Sequence, residues 1–60
     1  MLIKIKNYPS PFYPVALEAW ENGRMIYHNV FPACMSDKEI HFQINTLWSG
    51  YNYRVKDCRA

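Results

Sequence analysis

Asn22-Gly23 stands between two apolar-rich runs, Val15 to Trp20 and Arg24 to Phe31. A two-residue hairpin turn of type I′ needs positive φ at both central positions, which Asn and Gly adopt with the least strain. Flanked by such runs, the dipeptide is the strongest short-range hairpin signal a sequence can carry. Counting outward from the tip sets a register: Glu21 opposite Arg24, Trp20 opposite Met25, Ala19 opposite Ile26, Glu18 opposite Tyr27, Leu17 opposite His28, and Val15 opposite Val30. Opposite charges beside the turn and a Trp–Met pair next to it both favour this pairing.

The remaining elements are read around that hairpin. Leu2 to Lys6 alternates apolar and charged residues at period two, the pattern of a half-buried strand with Ile3 and Ile5 inward. Tyr8-Pro9-Ser10-Pro11-Phe12-Tyr13-Pro14 cannot continue a ladder or a helix, so it is an extended loop. It reads either as a polyproline ligand for an SH3-type groove or as a stiff crossover whose Phe12 and Tyr13 cover the core edge. The second is preferred, because so small a domain rarely spares its aromatics. Ser36-Asp37-Lys38-Glu39 is a capping box, with Ser36 as N-cap and Glu39 reaching back. Ile40, Ile44, Leu47 and Trp48 follow as one apolar stripe, and Gly50 supplies a stop, so the spacing predicts a helix over 37–49. Tyr51 to Cys58 alternates again, giving a last strand. The expected fold is α+β: a small β-β-β-α-β domain, residues 1–60, with a mainly antiparallel sheet and one helix packed on one face.

Composition narrows the class. Sixty residues permit a single core, and a chain this short buries only about 60% of its unfolded surface. Half of the residues are hydrophobic and 17% are aromatic, which argues against disorder. A net charge of +2 is too mild to name nucleic acid as the partner. With only Cys34 and Cys58, the chain lacks the bridge density of small secreted domains. Its alternating start has no signal-peptide core, and no stretch approaches a membrane span. A reduced, cytoplasmic protein is expected, in the host-cell cytoplasm if the chain is phage-encoded, without membrane association.

One helix covers only one face of such a sheet. The counted register puts Val15, Leu17, Ala19, Ile26, His28 and Val30 on one side, the more uniformly aliphatic set, assigned beneath the helix. Ala16, Glu18, Trp20, Met25, Tyr27, Asn29 and Phe31 then share the open face with Lys4, Lys6, Arg54 and Lys56. A contiguous exposed surface of Trp20, Met25, Tyr27 and Phe31 marks an interaction site, with Arg54 and Lys56 at its rim. Self-association through this face, or its coverage by the proline-rich loop, are the alternatives.

Catalytic and metal chemistry find little support. Cys34 and Cys58 are far apart, as are His28 and His41, and no C-x-x-C or H-x-x-x-H spacing occurs. A Cys34–His nucleophilic pair would need an orienting third group and a pocket. Paired carboxylates, Gly-rich phosphate loops and nucleophile elbows are missing. No catalytic, metal or cofactor-binding residue is assigned, and a non-enzymatic protein is expected. The aromatic and basic face has one further chemical logic, stacking of single-stranded bases on Trp20, Tyr27 and Phe31 with Lys4, Lys6, Arg54 and Lys56 on the phosphates. It ranks behind a protein partner, since no RNP-like aromatic-glycine motif accompanies it.

Two resemblances bear on function. Tyr13-Pro14-Val15-Ala16-Leu17-Glu18, a hairpin, and Phe31-Pro32-Ala33-Cys34 before a helix resemble the β-β-α core of HicB-type antitoxins, without the usual Pro-Gly-Cys turn and with a short helix. In its length, Lys-bearing first strand and Asp57-Cys58-Arg59 ending after a helix and strand, the chain is similar to the small phage Dmd-type antitoxins. Both families neutralise a toxin by protein contact. The resemblance implies a phage-type inhibitor or antitoxin that occludes a host protein, a defence protein in the phage case; a homodimer is the partner expected if the open face self-associates.

Overall fold

The hairpin forms where the dipeptide predicts it. In the computed structural model, which describes residues 1–60, Asn22 has φ 53° and Gly23 φ 75°. They join β2 (Val15–Glu21) to β3 (Arg24–Phe31). β1 (Leu2–Asn7) precedes them, and α1 (Asp37–Leu47) and β4 (Arg54–Asp57) follow. The four strands form one sheet in the order β3-β2-β1-β4. β1 and β3 both pair antiparallel with β2, whereas β4 runs parallel to β1. A parallel neighbour requires a crossover, and α1 supplies it: the chain leaves one edge of the sheet, crosses its middle strands as a helix, and returns at the other edge. The β-β-β-α-β order, mainly antiparallel pairing and single covered face agree with the sequence reading.

The helix begins as its capping box dictates. Ser36 Oγ accepts from the Glu39 backbone N–H at 3.2 Å, and Glu39 Oε1 accepts from the Ser36 N–H at 3.5 Å. Its end comes slightly earlier than predicted, with Trp48 as C-cap and Gly50 at φ 86° reversing the chain. Ile40, Ile44 and Trp48 pack on Ile3 and Ile5 of β1, Leu17 and Ala19 of β2, and Phe31 of β3. Leu47, placed in that stripe by its spacing, instead stays 45% exposed. The last strand also starts later than Tyr51, which is exposed. Its ladder opens where the Arg54 N–H donates to the Met1 carbonyl at 3.1 Å, because the chain must first travel from the helix back to the sheet edge.

The hairpin register departs from the counted one after two pairs. Glu21 faces Arg24 and Trp20 faces Met25 as expected, but a bulge falls between Ala19 and Trp20. Beyond it Ala19 faces Tyr27, Glu18 faces His28, Leu17 faces Asn29, Ala16 faces Val30 and Val15 faces Phe31. One extra residue in β3, Ile26, turns every later side chain to the opposite face. Phe31 and Tyr27, expected on the open face, therefore turn toward the helix. Phe31 joins the core, and Tyr27 meets Trp48 edge-on at 5.2 Å between ring centroids. His28 and Val30, expected beneath the helix, turn outward. The gain is plain: two aromatic rings enter the core in place of an imidazole and a valine.

The proline-rich loop is closed by the Tyr8 N–H donating to the Pro14 carbonyl at 2.8 Å. Ser10 Oγ accepts from the N–H groups of Phe12 and Tyr13, both at 3.3 Å. Phe12 points away from the core and is 76% exposed, and Tyr13 is also exposed, so neither covers the core edge as expected.

A candidate partner-binding surface on the open sheet face

Strand pairing lines the open face up in cross-sheet rows. Arg54, Leu2, Trp20 and Met25 make the first; Lys56, Lys4, Glu18 and His28 the second; Lys6, Ala16 and Val30 the third. Residues directly opposite across a ladder share a side, which is what fixes these rows. No helix lies on this face, but its third row is not bare: Ala16 is buried at 3% exposure, Val30 is half-buried, and the Tyr8 ring of the proline-rich loop tilts against His28 at 6.2 Å. Of the residues assigned to the site from sequence, Trp20, Met25, Arg54 and Lys56 are brought together here. Tyr27 and Phe31 are on the other side of the sheet. Glu18, His28, Val30 and Leu2 complete the surface.

Its centre is a small polar network built on the Trp20 indole. Trp20 Nε1 donates to Glu18 Oε1 at 2.8 Å, and Lys4 Nζ sits 5.0 Å from the centroid of the Trp20 ring. Lys6 Nζ reaches Glu18 Oε2 at 3.6 Å. The indole hydrogen bond above all, helped by the nearby Lys6 and Lys4 ammonium groups and opposed by partial burial, holds the Glu18 carboxyl below its ordinary range. Cation–π contact and a hydrogen bond to an ionised acceptor are both directional, so the ring is fixed in one orientation rather than left free. Beside it, Leu2, Lys4, Trp20, Asn52, Tyr53 and Arg54 line a shallow, open groove. A rigid aromatic with a cationic rim can seat an apolar or acidic group of another macromolecule; nothing in it supplies a nucleophile with its base.

The remaining reactive side chains are dispersed. Cys34 and Cys58 are free and exposed, and no three His, Cys, Asp or Glu side chains converge on a point that could hold a metal ion. No helix is long and apolar enough to cross a membrane. Other exposed apolar groups are the bulge residue Ile26, Phe42 and Leu47 on α1, Tyr51 after it, and Phe12 and Tyr13 in the loop.

The inclusion of His28 and Val30 follows from the bulge alone. No protein family, curated protein or solved structure matches the chain.

Proposed function

We propose that this chain is a non-enzymatic protein-binding module whose open sheet face seats a host protein, in the manner of a phage-type inhibitor or antitoxin that acts by occlusion. The observation carrying this reading is the Trp20 ring, held by Lys4 and Glu18 on the open face. Binding energy at protein interfaces concentrates in a few aromatic and Arg anchors, and an anchor already fixed in orientation loses less entropy on docking. Lys4, Lys6, Arg54 and Lys56 around it suit an acidic partner surface. The resemblance to antitoxins that neutralise by protein contact supports the same class. The test is capture from nuclease-treated bacterial lysate on the immobilised chain: a stoichiometric protein should be retained by the wild type and lost with Trp20→Ala.

A second reading rests on the groove between Lys4, Trp20 and Arg54, where a base stacks on the indole and phosphates meet the cations. Retention on a single-stranded polynucleotide column separates the two. Phosphate contacts give a steep loss of affinity with salt, whereas the protein-binding reading expects elution at low salt.

A further inference from the structure

The two edges of the sheet are built differently. β4 is four residues long, carries Arg54, Lys56 and Asp57, and leads into Arg59, which folds back on Asp57 and Asp37. Shortness and charge are the usual devices that keep an edge from pairing with another chain. β3, at the other edge, is eight residues long. Between Met25 and Phe31 it contains no Lys, Arg, Asp, Glu or Pro.

Its free backbone groups can be assigned. In an antiparallel ladder, alternate residues direct their N–H and C=O toward the neighbouring strand and away from it. The Val30 N–H is not taken by β2; its acceptor is Oδ1 of Asn29, at 2.9 Å. Val30 therefore points its backbone outward, and so does His28 two residues before it. The next outward position is Pro32, which has no N–H to offer. On the far side, the bulge at Ile26 interrupts the alternation.

We propose that β3 pairs antiparallel with β3 of a second copy of this chain about a two-fold axis at Asn29. The result is a continuous sheet of twice the width. In this register His28 of each copy faces Val30 of the other; the Val30 N–H exchanges its bond to Asn29 Oδ1 for one to the other copy's His28 carbonyl, and every outward N–H and C=O of those residues finds a partner. Moving the axis to Val30 sets His28 against Pro32 and leaves a carbonyl unmet. Moving it to His28 sets Val30 against the bulge residue Ile26. On the helix side, Tyr27 of each copy faces Phe31 of the other, an aromatic cross-strand pair. No like charges oppose one another along the seam. The axis is normal to the sheet, so both helices lie on one side and both Trp20 faces on the other; the pairing draws His28 and Val30, at the β3 edge of the open face, into the seam and leaves the Trp20 anchor outside it.

Sedimentation equilibrium over a wide concentration series tests it, with circular dichroism as the control for folding. The wild type should be a dimer. Asn29→Asp and Asn29→Lys each set like charges face to face at the axis, and each should raise the dimer dissociation constant about fivefold or more. Mixing the two variants should restore a dimer at least as tight as the wild type, because opposite charges then meet. Trp20→Ala should leave the mass unchanged, so failure here is distinguishable from failure of the open-face reading. A wild type that is monomeric at every concentration, with β3 left to a strand of another protein, overturns the proposal. So does a dimer indifferent to both Asn29 variants.

Discussion

Trp20 and Glu18, two residues apart on β2, are joined by an indole N–H donating to a carboxylate at 2.8 Å. Hydrogen bonds to charged groups contribute more than neutral ones, and the Glu18 side chain is only 14% exposed. Trp20→Phe keeps an aromatic ring and removes the donor. Denaturant titration should show a loss of about 1.5 kcal/mol, the lower end for a hydrogen bond to a charged group. No loss would mean that the pair does not order the ring.

The turn gives the second prediction. Gly23 has φ 75° with nothing within 4 Å of the place a Cβ would occupy, so substitution there meets backbone strain and not a clash. Gly23→Val should cost more than about 1 kcal/mol, since a β-branched residue resists positive φ. An unchanged melting temperature would contradict the turn.

The bulge gives the third. Phe31 is buried at 2% exposure, whereas its neighbour Val30 is half-buried on the open face. Phe31→Ala should cost about 3–5 kcal/mol, enough to unfold most of a domain this small, and Val30→Ala should be tolerated. The reverse order would restore the unbulged register.

How much was legible follows from what is local. The Asn22-Gly23 tip, the Ser36–Glu39 box and the alternation of Leu2 to Lys6 each act within a few residues, and each is found in place. The bulge brings Tyr27 to Trp48, a residue of a distant element, and counting along the hairpin does not reveal that contact. The parallel pairing of β4 with β1 is likewise a consequence of where the α1 crossover ends. Leu47 has the spacing of a core residue, but α1 turns only Ile40, Ile44 and Trp48 fully onto the sheet. Of the candidate surface, Trp20 and Met25 precede the bulge and keep the face that counting gives them, and Arg54 and Lys56 keep the face that alternation in the last strand gives. Tyr27 and Phe31 lie beyond the bulge, and a one-residue insertion sends them to the opposite face.

The Arg59 clamp makes a pH prediction. Its guanidinium donates through Nε and Nη2 to Asp57 at 3.0 and 2.7 Å, and through Nη1 to Asp37 at 2.9 Å. Hydrogen bonding to Arg59 is the main reason that Asp57 is lowered from 3.8 to about 2 and that Asp37 is lowered too. The unfolded chain then binds more protons in acid than the folded one. The clamp's stabilisation is complete above the unfolded carboxylate range and is lost as pH falls from about 5 to about 2. Arg59→Ala should lower the melting temperature most near neutrality, with the gap from wild type closing toward pH 2. A constant gap would show that the clamp contributes nothing through these carboxylates.

The central claim is that one face of the sheet holds the fold together while the other binds. Parallel measurement of melting temperature and partner affinity for Trp20→Ala and Leu17→Ala tests it most directly. Leu17 is fully buried in the core, and its truncation should cost about 2–5 kcal/mol of stability. Trp20→Ala should stay folded and lose about 2 kcal/mol or more of binding energy, as truncated interface anchors do. A Trp20→Ala protein that unfolds while Leu17→Ala remains intact, or one that is folded and binds as tightly as the wild type, would contradict the account.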